Sequence, residues 1–401
     1  MDKDAAELKV EHILKRLEGI PIAADGDLFI NLYTTRYVGN GTFPSALNNK
    51  PIEGKILSTV KVRRQVLAEN FDFFKSMLSR NQFGERSQGT IDIHCDYPLA
   101  AQLWFRLYHD SPLPEVFSET PVEEVWNVIH WGGYIQAQHN SDQIDLSKLR
   151  PWFDKVLERY DPEKMDIDTT RMFLFPCYAF DHAEGFAEIT RRLAYEMASH
   201  IQEKNPSSYF HGHLDHHIIG ALNAARGSLR GNLIRGLFDP VSSFLNADCE
   251  CKEKSLFSYC EALRGTEIWP LHDQHKKSIN CVIQSSGFVR FQCEIPENAC
   301  TECVQRLQGS AVQHVGYEIA YFFDGLCLDC INQTSKDDYK DIDRDYWTHA
   351  SRGDYDYGCR ISHEQPTWYF SYMGRRSVVK KFMAANGGNY NGENGFSFRI
   401  Q

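Results

Sequence analysis

Apolar residues recur at two different periods along the first 140 positions. Val10, Ile13, Leu14 and Leu17 fall on one face of a short amphipathic helix within residues 1–24. Asp27–Tyr33 (DLFINLY) is rich in apolar and aromatic residues and predicts a strand, and the polar stretch Gly39–Lys50 predicts a loop. Residues 55–62 (KILSTVKV) alternate apolar and polar, which predicts a second strand. From Arg64 to Leu78 the period changes. Val66, Leu67, Phe71, Phe74 and Leu78 take helical spacing. Thr90–His94 (TIDIH) predicts a third strand, and Pro98 suits the first position of a helix over LAAQLWFRLYH. A further helix is predicted over Val122–Ile135, with Thr120 as its N-cap.

The order strand, strand, helix, strand, helix, helix makes residues 25–140 an α+β unit. Residues 141–245 read as helical throughout, in the stretches LSKLRPWFDKVLERY, MFLFPCYAFDH, FAEITRRLAYEMASHI and IIGALNAARGSLRGNLIRGLF. Residues 246–385 are cysteine-rich, and the Asn/Gly-rich end 386–401 is expected to be a flexible tail.

Composition narrows the function classes. Hydrophobic residues make up 42% of the 401 and charged residues 24%, enough for a packed core. A net charge of −11 argues against the whole chain tracking a nucleic-acid backbone. The charged amphipathic start lacks the apolar core of a secretory signal. The longest apolar run, Met172–Phe180, contains a proline and falls far short of the roughly 20 residues a membrane span needs. The expectation is a soluble intracellular protein of the nucleus or cytoplasm.

Cysteine is distributed unevenly. Only Cys95 and Cys177 of the twelve precede position 249; the other ten lie between Cys249 and Cys359. Under reducing conditions such crowding reads as metal ligation before disulfides. Cys300-x2-Cys303 and Cys327-x2-Cys330 together offer four thiolates, the donor set of a closed tetrahedral zinc site with a structural role. The twenty-three residues between the pairs slightly exceed the spacing of about 15–20 in common zinc ribbons. Cys249-x-Cys251 is a second half-site. Cys359-x3-His363 is its expected complement, with Cys293 or His272 as alternative ligands. Cys260 and Cys281, in apolar settings, read as small core residues.

The front also resembles a known family. VRRQVLAENFDFFKSMLSRNQFGERSQGTIDIHCDYPLAAQLWFRLYHD is similar to the core of a BTB/POZ domain. There an apolar helix precedes a strand and a second helix; Val66, Leu67, Ala68, Phe74, Leu78 and Tyr108 fall in the matching places. The usual histidine before the first helix is Arg63 or Arg64 here, and the usual serine is Asn70. FFDGLCLDC and CRISHEQPTWYFSYMGR, with FPCYAFDHAEGFAEITRRLAYEM, LNAARGSLR and CECKEKSLFSYCEAL, resemble a group of filamentous-fungal BTB-domain proteins. The resemblance implies a non-enzymatic adaptor that binds protein through self-association or a cullin-type ubiquitin ligase scaffold.

Two rival readings rest on other residues. His211-x-His213-x-Asp215-His216-His217 matches the metal signature of metallo-β-lactamase-like hydrolases. It follows a Lys-Asn-Pro-Ser-Ser loop rather than a buried strand, and Asp215 there reads as a helix N-cap. A chromatin-bound regulator would use the small basic clusters, such as Arg226, Arg230 and Arg235, which read instead as solvated or paired with acidic neighbours. No phosphate-binding glycine motif, G-x-S-x-G elbow or nucleophile–base pair is evident.

Overall fold

The computed structural model describes residues 3–34, 55–79, 89–135, 146–161, 164–207, 213–214, 216–266, 269, 276–329 and 360–361. Among the described residues the architecture is α+β, with a three-stranded sheet in the front part and helices around it and in the back part. The chain divides into two compact units, residues 1–182 with 204–213, and residues 183–203 with 214–401. The chain passes between the units at 182–183, 203–204 and 213–214. The expected loop Gly39–Lys50 and the tail 386–401 lie outside the described residues.

In the first unit the elements are α1 (Lys3–Leu17), β1 (Leu28–Thr34), β2 (Lys55–Val62), α2 (Arg64–Asn70), α3 (Asp72–Ser79), β3 (Thr90–His94), α4 (Pro98–Tyr108), α5 (Val122–Tyr134), α6 (Arg150–Glu158) and α7 (Ile167–Ala179). The sheet order is β2-β1-β3, with β1 antiparallel to β2 and parallel to β3. Alternation sorts its faces. Leu28, Ile30, Leu32, Val60, Val62, Ile91 and Ile93 are buried. On the other face, Thr59 donates to Asn31 and Asn31 to Asp92, both at 2.8 Å.

The helix expected over Arg64–Leu78 is two helices. Phe71 between them is extended (φ −133°, ψ 118°), and the Asn70 amide donates back to the Val66 carbonyl at 2.8 Å, closing the end of α2. The break is compatible with burial because Phe71 stays on the inner side, its ring 6.0 Å from Phe74 and 4.7 Å from Tyr108. Thr120 is not the N-cap of α5. Its hydroxyl donates backward to the Phe117 carbonyl at 2.7 Å, and Pro121 takes the cap position. The α1 helix belongs to this unit, and its Arg16 reaches Glu119 through two 3.0 Å bonds.

Tryptophans stitch the interior. Gly132 lets α5 cross close to α4, since a Cβ there would sit 2.4 Å from the Trp104 ring. Pro176 lies inside α7 and leaves the Met172 carbonyl without its helical donor; the Trp126 indole N–H fills that place at 2.8 Å.

Two buried titratable groups act in opposite directions. His109 accepts the Arg63 N–H at Nε2 (2.8 Å), and its Nδ1 lies 2.7 Å from the Phe105 carbonyl. Burial holds this imidazole below its ordinary range, so its contribution is lost as pH falls below about 6.5. Glu124 is buried; Asn127 donates to its Oε2 at 2.7 Å, while Oε1 has no hydrogen-bond partner among the described residues. Burial pushes its carboxyl up from 4.5 to about 7. The folded state therefore holds a proton that the unfolded state releases. The stability this confers is complete below about pH 4.5 and lost as pH rises through about 7. We predict that E124Q removes a pH-dependent loss of roughly 3 kcal/mol between pH 5 and 8. Paired urea melts at the two pH values check this. Equal pH sensitivity in E124Q and the parent would show that Glu124 is not the group responsible.

In the second unit the elements are α8 (Ala183–Glu196), α9 (His216–Leu245), α10 (Lys252–Arg264), α11 (Ile279–Ile283), α12 (Ser286–Val289), α13 (Thr301–Arg306) and α14 (Gly309–Ala320). The long α9 is the axis, with α8, α10 and α14 packed on it. Among the described residues, Arg226 and Arg230 have no acidic partner. They donate to backbone carbonyls just past α8, Arg226 to Ala198 at 2.8 Å and Arg230 to Ala198 at 2.7 Å, where a helix C-terminus favours cations. The end of α14 and the segment after it are tied to α8. The Tyr195 hydroxyl donates to the Ile319 carbonyl (2.7 Å), and the Leu326 N–H donates to Thr190 Oγ1 (2.8 Å). Gly325, at φ +96°, approaches so closely that a Cβ would lie 1.9 Å from the Ala187 carbonyl oxygen.

A four-cysteine candidate metal centre

Four sulfurs converge in the second unit. Cys249 lies in the turn after α9, Cys251 caps the start of α10, Cys300 caps the start of α13, and Cys303 lies within α13. Their Sγ atoms all lie within 4.8 Å of one another. Cys249 Sγ is 3.4 Å from Cys251 Sγ and 3.5 Å from Cys303 Sγ. A tetrahedral shell with metal–sulfur bonds of about 2.3 Å requires sulfurs about 3.8 Å apart. The four are therefore spaced to hold one ion with small adjustments.

The surroundings suit thiolates. The α10 and α13 helices both begin at the cluster and direct their positive ends toward it. The Cys300 N–H donates to Cys251 Sγ at 3.3 Å, and this bond lowers the Cys251 thiol to about 7. Its neighbour Cys249, sharing a proton with it, is pushed up to about 12. Burial raises the Cys303 thiol, and Cys249 beside it acts against that rise. Arg306, one turn after Cys303, donates to the Ser243 carbonyl at 3.1 Å and fastens α13 to the end of α9.

This grouping redistributes the expected ligands. Cys300–Cys303 meets Cys249–Cys251, whereas Cys327–Cys330 was its expected partner. Cys327 is buried but is not among the converging sulfurs. The Leu326 N–H bond to Thr190 and the close approach of Gly325 to Ala187 hold its segment against α8 and give the physical reason. Cys330, Cys359 and His363 lie outside the described residues, as does His272. Cys293 is half-buried and not in the cluster. Cys281 is exposed and Cys260 half-buried, so neither is a core residue; in α11 the buried side is formed by Ile279 and Val282. His213 and His216 are exposed, and the run's other members, His211, Asp215 and the His217 side chain, lie outside the described residues.

No helix among the described residues is long and apolar enough to cross a membrane. No family model, no curated protein and no solved structure matches the chain.

Proposed function

We propose that the chain is a non-enzymatic protein–protein interaction protein, with a BTB/POZ-like front unit and a structural zinc ion in the back unit. One observation carries the front half of this reading. Residues 28–108 run strand, strand, paired helices, strand, helix, with β3 parallel beside β1, the order in which the resembling motifs fall. The all-sulfur donor set carries the zinc half. Tetrahedral four-sulfur sites take zinc or iron, and a closed shell leaves no position for catalytic water.

The interaction reading is tested on the purified full chain by light scattering and by titration with a purified cullin scaffold. A stable homodimer or a stoichiometric complex with the scaffold is expected. A monomer that ignores the scaffold would remove both partner classes this reading names.

A further inference from the structure

We infer that Cys249 is the oxidation-sensitive ligand of the four-cysteine site, and that hydroperoxides expel the metal by joining it to Cys303. The inference rests on the zinc reading above and adds a regulation to that site.

Cys249 is the hub of the cluster, 3.4 Å from one sulfur and 3.5 Å from another. It is half-buried, in a turn between two helices, whereas Cys303 is buried. A small oxidant therefore meets Cys249 more readily than Cys303. Cys251 and Cys300, although also half-buried, are the cap residues of α10 and α13. With all four sulfurs ligated as thiolates, the Cys300 N–H bonded to Cys251 at 3.3 Å draws charge from that sulfur and makes it a weaker nucleophile than Cys249.

The same geometry selects the resolving thiol. Joining Cys249 to Cys251 would close a very small ring across one intervening residue, a setting in which disulfide geometry is strained. Cys303 comes from a segment 54 residues away and already sits at 3.5 Å, so side-chain rotation brings the two sulfurs together. The chemistry balances. The Cys249 thiolate attacks the hydroperoxide and takes one oxygen as the sulfenic acid, and with one proton the alcohol or water leaves. The Cys303 thiolate then displaces that oxygen as water with a second proton. Two thiolates are oxidised to one disulfide and the peroxide is reduced. With two of four donors gone, the ion leaves.

The test uses the full chain loaded with zinc and treated with hydrogen peroxide. Released zinc is followed with a metallochromic dye, and cross-links are assigned by peptide mapping. Zinc content is expected to fall from one equivalent to none at this site as two thiols disappear, with a Cys249–Cys303 cross-linked peptide. C281S, which alters an exposed cysteine outside the cluster, should behave like the parent. Zinc retained against excess peroxide, or released with any other cysteine pair joined, overturns the inference. A chain whose cluster takes up no zinc before oxidation overturns the metal reading itself, and the inference falls with it. The zinc content measured before peroxide addition separates these failures.

Discussion

Stripping the metal is expected to melt the back unit while the front unit stays folded. Cys249, Cys251, Cys300 and Cys303 join the end of α9 to the starts of α10 and α13, and α11 and α12, which lie between, are only five and four residues long. Helices this short have little stability of their own. Zinc binding in small model domains provides on the order of 10 kcal/mol, comparable with the whole stability of a typical domain. Differential scanning calorimetry with and without a strong chelator reads the outcome. Two transitions are expected with metal, and chelation should abolish or sharply lower one. An unchanged back-unit transition in the chelated, demonstrably metal-free chain would show that the cluster is not a structural staple.

A buried charge in the front unit should be equally damaging. Phe74 is fully buried, its ring 5.2 Å from Phe73, 6.0 Å from Phe71 and 5.6 Å from Phe105. Truncating such a ring costs about 3–5 kcal/mol, and a carboxylate left unpaired in its place adds the penalty of desolvation. The sum approaches the stability of a typical domain, so F74D is expected to leave the front unit unfolded at 25 °C. Phe29 is 44% exposed on the outer face of the sheet, and F29D should cost less than about 1 kcal/mol. Circular dichroism melts of the two variants discriminate. An F74D melt that overlays the parent would refute the packing described for α3.

The sequence pattern locates β2, β3 and the start of α4 at the residues where the structure has them. Alternation is clear over the TVKV end of β2 and over TIDIH, and Pro98 marks a helix start. The break at Phe71 is invisible to the same reasoning. Leu67, Phe71, Phe74 and Leu78 remain in helical phase across it, so the interruption leaves no mark on the hydrophobic period. The Trp126–Met172 bond is similarly hidden: Pro176 announces an orphaned carbonyl, but only the fold says which donor meets it.

The metal centre shows the same division. Local spacing identified Cys249–Cys251 and Cys300–Cys303 as half-sites, because each brings two sulfurs to one place. Which halves meet is set by the course of the chain, and here the turn after α9 meets the start of α13. The pair beginning at Cys327 has the more regular spacing relative to Cys300, yet the Leu326 N–H bond to Thr190 holds that segment to α8. Spacing encodes chelation within a turn and says nothing of partners 49 or more residues apart.

The shared site is tested most directly by counting zinc in the full chain by native mass spectrometry, in C249S, C303S and the double variant. One ion held by both half-sites predicts that each single variant loses one equivalent and that the double variant loses the same one. Loss of two equivalents in the double variant would contradict the account, since it would place Cys249 and Cys303 in separate metal sites.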